Sequence, residues 1–494
     1  MENFLDQLNQ IALQLTEWVW GIPLIVLLLA VGILLSVRMH FLQLRQLPRA
    51  LKFMFQNEEG GNGEVSSFGA LCTALSATIG TGNIVGVATA ISLGGPGALF
   101  WMWVAAFFGM ATKYAEGLLA VKYRNVDSNG HVLGGAFYYI ERGISERFPK
   151  CRGVARVLAI LFAVFGAGAG LFGIGTITQV NGIASAVQNL MDPEKEGIVV
   201  LFGHSFGFTW TTLIVAVTTA LLVGLVIIGG IRRISNVSQV VVPFMACAYV
   251  LICIAVLIVN AKAIPNAFVE IFQGAFGLRA AAGGAVGAMF LAMQKGIARG
   301  MFSNESGLGS ASIAAAAAKT HSAARQGLVT MTGTFIDTLV ICTMTGLAIL
   351  STGSHQTGLE GAAITANAFS TLFPLVPVIG KALIASCLVF FAFTTILGWD
   401  YYGERCVEYL SKGRSLPVKI YRWVYILAVL TGPFLTVAFV WNFADALNGL
   451  MSFPNLIALF ARSGVCAKET AAYLSALKEQ KRARQKGAPL KVKK

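Results

Sequence analysis

Ser76-Ala-Thr-Ile-Gly-Thr-Gly-Asn83 and Gly300-Met-Phe-Ser-Asn-Glu-Ser-Gly-Leu-Gly309 set glycine, hydroxyl and amide residues inside segments long and apolar enough to cross a bilayer. Lipid offers no partner to loosened backbone groups, so irregular chain at that depth must lie against protein or a water-filled cavity. Two such interruptions, at matching places in two halves, point to a substrate and ion site. Gly80 and Gly82 let the first helix unwind. The N–H groups thereby freed suit a carboxylate, and the freed carbonyls suit a small cation.

The remainder of the chain agrees with a membrane protein. Of 494 residues 56% are hydrophobic and 12% charged, and the mean hydropathy is +0.71. The apolar runs predict eleven spans: Trp18–Val37, Phe68–Leu93, Ala98–Val121, Val154–Leu190, Thr209–Ile228, Val237–Val259, Ala285–Gly309, Gly327–Leu350, Val378–Tyr402, Val418–Leu435 and Val437–Phe460. On this map nearly all Lys and Arg fall in alternate links and the C-terminal tail. Only Lys195, Lys262, Arg279 and Lys381 lie on the other side, and the first seventeen residues contain neither type. The positive-inside rule therefore puts the N-terminus outside and the C-terminus in the cytoplasm. Residues 1–64 form an opening span and a basic interfacial link. Residues 65–259 and 260–465 form two five-helix repeats, and 466–494 a basic tail, mobile from Lys478. Five crossings per half make the repeats inverted. Ile264–Gly277 and Thr365–Phe373 read as short outer helices.

The net charge of +14 is a topology signal and a tail beside anionic headgroups, not a nucleic-acid surface. Eight cysteines and five histidines show no metal spacing. No nucleophile–base pair or cofactor loop supports an enzyme, and no organic cofactor is implied. Polar groups clustered at two helix breaks favour a closed central site over a channel's continuous polar path.

Three further features refine the site. Arg299 and Glu305 must pair or face water, and the backbone of Gly300–Phe302 is the favoured ligand surface. In span nine, Thr394 and Thr395 offer two hard oxygens opposite the first break, with Trp399 one turn below as a pocket floor. Those hydroxyls could equally bond their own helix. Gln179, Asn181, Glu116, Asp337 and Asp445 are other polar residues at membrane depth, and spacing does not choose between helix-tying and function.

Gly80 to Trp103, Met301 to Gly309, and Thr394-Thr395 with Trp399 closely resemble the alanine or glycine:cation symporters, also called sodium:alanine symporters. The resemblance runs from the first span to the last. It implies an all-α, LeuT-like fold with one extra N-terminal helix, and sodium-driven uptake of alanine, glycine or D-alanine through the cell membrane. Glutamine or another neutral amino acid, or proton coupling, are the alternatives. By the same resemblance Thr81, Gly82 and Asn83 hold the substrate carboxylate, with Gln179 reaching the substrate. Phe302 and Trp399 line the side-chain pocket. The Ser76 and Ile79 carbonyls with the Thr394 and Thr395 hydroxyls bind Na⁺. Oligomeric state stays open.

Overall fold

A computed structural model describes residues 2–56, 58, 61–128, 130–201, 204–277, 284–435 and 437–485. Arg279 and the last nine residues of the basic tail lie outside the described residues. Nearly everything described is helix, because backbone groups of an apolar chain must be satisfied within their own segment. Two small antiparallel hairpins, Asn125–Val126 with Val132–Leu133 and Ile198–Leu201 with His204–Thr209, sit in the links after spans three and four.

Span one comprises Glu2–Val19 and Ile22–Arg38, parted at Gly21. The basic link folds into the short helices Leu42–Arg45 and Leu47–Met54. Spans three, five and six are Gly97–Tyr123, Trp210–Ile227 and Gly230–Val259. The segments between spans six and seven and between spans eight and nine form helices at Ile264–Ala275 and Ala362–Ser370. Spans nine and ten are Pro377–Leu410 and Ser415–Thr431.

Four spans depart from regular helix, and those departures position the site. Span two is Ser67–Thr78 followed by Gly82–Gly94, bent by 53° between them. Ser66 starts its first half by accepting the Gly69 N–H at 2.9 Å. Its second half opens with a π-helical turn, Gly82–Gly86. Span four divides into Arg152–Phe172 and Ile177–Met191. Span seven runs Ala285–Asn304, then leaves the helix before Ala311–Ala316. Positive φ at Glu305 (55°), Gly307 (93°) and Gly309 (85°) makes that turn; two of the three are glycine, where the conformation is unstrained. Span eight comprises Ala323–Thr334, a π-helical stretch Phe335–Cys342, and Thr343–Ser351.

Among the described residues, eight helices are long and apolar enough to cross a membrane, and the bent span two makes nine. Spans seven and ten fall below that measure: the first carries Gln294, Lys295 and Arg299, and the second is 17 residues long. The C-terminal tail differs from its sequence reading. Span eleven continues as one helix, Val437–Gln485, through Lys478. The segment is polar but rich in Ala, Leu, Glu, Lys, Arg and Gln, and this helix propensity outweighs the composition that suggested mobility.

Span nine approaches the first half of span two at Gly398, where a Cβ would lie 2.8 Å from the Ala77 backbone N and 2.9 Å from its Cα. Neither backbone can yield cheaply. Gly398→Ala is expected to destabilise the protein by roughly 1–3 kcal/mol, read as a lower thermal midpoint in detergent; an unchanged midpoint would contradict the close approach.

Candidate functional site

The first break is held by its own Asn83 and by side chains from spans four and nine. Ile79 leaves the helix at ψ 93°. The N–H of Gly80 donates to Asn83 Oδ1 at 2.9 Å, and that of Thr81 to Gln179 Oε1 at 3.2 Å. On the carbonyl side, Thr395 Oγ donates to Ile79 O at 3.2 Å and to Phe391 O at 3.0 Å. Thr395 and Ile79 are thus neighbours. Thr394 is buried too, but its hydroxyl turns to Phe391 O (3.0 Å) and Met245 Sδ (3.5 Å). Ser76 Oγ bonds back to Thr73 O at 2.8 Å. The Thr81 hydroxyl is fully buried and has no hydrogen-bond partner.

The second break is built more rigidly. Glu116, from span three, accepts the N–H groups of Gly307 (3.0 Å) and Gly309 (3.1 Å) on one carboxylate oxygen, together with Asn455 Nδ2 at 2.7 Å. Lys113, one turn earlier on the same helix, donates to Asn304 O at 2.7 Å, where the helix dipole presents its negative end. Glu305 accepts from Trp399 Nε1 at 2.8 Å and Ser310 Oγ at 2.6 Å. Glu305 therefore does not pair with Arg299. Arg299 reaches Asp445 on span eleven, N–O 3.1 Å, because it lies in regular helix before the break and faces the opposite way. Gly300 is likewise helical and packs on Met102. The turn falls at Glu305–Ser310, beyond the Gly300–Phe302 backbone favoured from sequence.

Asp337 joins the two breaks. It lies in the π-helical stretch of span eight, a distortion frequent at functional sites. Its Oδ1 accepts from Asn83 Nδ2 at 2.6 Å; its Oδ2 accepts from Ser303 Oγ and Thr338 Oγ1, each at 2.8 Å. Asn83 thus spans Gly80 and Asp337. Beside it Gly82 fits closely against the other half: a Cβ there would stand 3.1 Å from Ser303 Cα and 3.4 Å from the Phe302 ring. Phe302 and Trp399 are both buried.

Above the first break is a cavity of about 370 Å³. Ala186, Leu190, Ala362, Ala366, Ile384 and Leu388 line it, and Asn189 and Lys381 stand exposed at its rim. It lies where span four ends and span nine begins. A Cβ at Gly182 would meet the Thr81 methyl at 2.8 Å and Leu388 at 3.8 Å, so Thr81 sits just beneath that wall.

Polar contacts link the segments at the opposite end. His131 bonds Glu64 (3.0 Å) and Glu408 (2.8 Å), and Arg405 holds Glu408 at 2.7 Å. Arg124 donates to the carbonyls of Asn62, Ala316 and Ala318. The Glu408 and Glu64 hydrogen bonds raise the His131 pKa to about 9 against desolvation, and the His131 bond helps hold Glu64 below the usual carboxylate range despite its burial.

The sodium:alanine symporter family model matches residues 5–487 of the chain. A Haemophilus influenzae uncharacterized transporter is 51% identical, covering 94% of this chain and 95% of that one. The Methanococcus maripaludis sodium/alanine symporter AgcS is 46% identical over 92% and 95%. The Bacillus subtilis probable sodium/glutamine symporter GlnT is 36% identical over 94% and 90%. In fold the chain resembles MhsT, solved in complex with L-phenylalanine, with a TM-score of 0.52 and 12% identity, covering 84% of this chain and all of that one. The fold is LeuT-like.

Two expectations follow from this geometry. Asp337→Ala takes the carboxylate acceptor from Asn83, Ser303 and Thr338 and leaves Asn83 and Ser303 only weaker contacts to the residue 337 carbonyl and Cys342 Sγ, at a cost of roughly 2–5 kcal/mol. The purified variant should melt earlier than wild type, and an equal midpoint would show that the bridge carries no weight. The His131 contribution is fully present below its unfolded pKa of about 6.5 and is lost as pH rises through about 9. Alkaline loss of stability across that window should therefore be smaller in His131→Ala; identical pH curves would exclude this contribution.

Proposed function

The chain belongs to the sodium:alanine symporter family, and on that premise we propose that it imports alanine or glycine, and D-alanine among their relatives, together with Na⁺ by alternating access. Membership makes it a multi-pass membrane transporter that couples amino-acid movement to a cation. The observation that carries the finer reading is the first break. Its Ile79 carbonyl and Thr395 hydroxyl are 3.2 Å apart, beside an unpartnered Thr81 hydroxyl, under a cavity that begins one wall away.

In this reading the substrate carboxylate displaces the weak internal bonds of the break. It takes the N–H groups of Thr81 and Gly82, with Asn83 and Gln179 turning to the ligand. Gln179 is poised for this, since its bond to Thr81 N is long at 3.2 Å while Nε2 stays anchored to Ile174 O at 2.9 Å. Na⁺ prefers hard oxygen ligands, which Ile79, Ser76 and Thr395 supply, with Thr394 joining by rotating off Met245. Phe302 and Trp399 close the side-chain end, and Gly300 lets span seven sit against span three behind them.

The cavity belongs to the outer face if the charge asymmetry sets the N-terminus outside and the C-terminus in the cytoplasm. The ion-paired end then closes the cytoplasmic path, in an eleven-span arrangement with repeats at 65–259 and 260–465. The driving force suffices. A potential of about 100 mV supplies ~2.3 kcal/mol per charge, and a tenfold sodium gradient adds ~1.4, enough for roughly 500-fold accumulation with one ion.

Proteoliposomes loaded without sodium and challenged with an inward sodium gradient test the function directly. Labelled alanine and glycine should accumulate above their outside concentration, and glutamine should not. Accumulation driven equally well by a proton gradient alone would refute sodium coupling. Thr395→Val keeps the β-branched shape and removes one ligand oxygen. It should weaken apparent sodium affinity by about tenfold or more, equal to ~1.4 kcal/mol, and lower substrate affinity through linkage. Wild-type sodium dependence in this variant would reject the ion site.

A further inference from the structure

Asp400 follows Trp399 on span nine and is fully buried, yet neither carboxyl oxygen has a hydrogen-bond partner. An ionised carboxylate without donors in a membrane interior is costly enough that such residues pair, hydrate or stay neutral. Charged and phenolic groups lie nearby. Glu404 and Arg405 stand near Asp400 on its own helix, and Arg422, Tyr421 and Tyr425 face it from span ten. Arg422 is spent on Glu404, at 2.5 and 2.9 Å, and Arg405 holds Glu408 at 2.7 Å. Tyr421 donates to Ala167 O at 2.9 Å. It reaches that carbonyl past Gly403, one turn from Asp400, where a Cβ would collide with the phenol oxygen. Tyr425 donates between Ile396 O (2.7 Å) and Gly175 O (3.1 Å). Span four, packed on the same region, has no titratable side chain from Val157 to Met191, and span five has none at all. A permanent anion here would draw one of these phenols to itself.

We propose that Asp400 is a proton-binding site: its carboxyl carries a proton in this conformation and releases it to water during the transport cycle. On release the carboxyl O–H bond breaks, the proton leaves as hydronium, and the electron pair stays on the carboxylate. The Tyr425 hydroxyl then turns from Gly175 O to the new anion. Gly175 lies in the break of span four, where Gln179 Nε2 holds Ile174 O and Gln179 Oε1 holds Thr81 N. Proton loss therefore loosens the span that positions the first break, which links the charge on Asp400 to the substrate site. The link to transport rests on the function proposed above; the protonation itself does not.

Two measurements separate them. The infrared difference between wild type and Asp400→Asn should contain a protonated-carboxyl band that vanishes reversibly as pH rises. A carboxylate signal at every pH, or a band that never titrates, overturns the proposal whether or not the protein transports alanine. In proteoliposomes, the wild-type initial rate of sodium-driven alanine uptake should depend on pH, approaching about tenfold per unit on its limiting arm as one proton requires. Asp400→Asn should flatten that profile. An unchanged profile in the variant, or a flat one in wild type, overturns the coupling. If Asp400→Asn fails to insert, Tyr425→Phe carries the test: it keeps the carboxyl band and flattens the profile, and retention of the wild-type profile counts against the switch.

Discussion

The Asp337 carboxylate is the constraint on which the centre of the molecule depends. Two helices that stop and restart inside a low-dielectric interior leave polar groups that lipid will not satisfy. Asp337 answers both at once, accepting from Asn83 on one oxygen and from Ser303 and Thr338 on the other. The π-helical stretch of span eight adds the residue that aims this carboxylate between the two broken spans. Asn83 passes the constraint on to Gly80, so the geometry of the first break is set from the second half of the chain.

The two breaks are not equivalent, and the difference matters for function. The second is fixed by charge: Glu116 clamps two backbone N–H groups, Lys113 caps the helix carbonyl, and Glu305 holds Trp399. Charge-assisted bonds of this kind are strong when desolvated. The first is tied directly by neutral amides and hydroxyls at 2.9–3.2 Å, through Asn83, Gln179 and Thr395, and charge reaches it only through the bond from Asn83 to Asp337. A stiff platform facing a loosely tied helix break suits a site where an amino acid and a cation bind and leave within each cycle. The ends of the molecule repeat the contrast: apolar walls surround the cavity, while His131, Arg405, Arg124 and their partners lace the far side.

The first break of the candidate site was legible because its chemistry is written in local sequence. Gly80, Gly82 and Asn83 announce an interruption, and Thr395 falls opposite it because both segments reach the same depth. Asp337 was visible only as an acid in a span, since its partners lie 254 and 34 residues away. No spacing rule joins them. Arg299 was legible as a charge needing a partner, but not which one: Asp445 lies 146 residues away on span eleven, beyond any spacing rule. The helix running on to Gln485 was hidden by a polar composition that suits both disorder and an exposed helix.

Sequence alone therefore determined the membrane class and two of the places where helix fails. Each of these follows from the free energy of placing single residues in lipid or in helix, a property that neighbours in sequence largely decide. The tertiary structure decided which side chains repair those failures. It set Asp337 between the breaks, divided the two threonines so that Thr395 faces Ile79 and Thr394 faces Met245, and left Asp400 without a donor. Such pairings depend on how helices distant in sequence rotate and lean against one another, and packing of whole surfaces fixes that rotation.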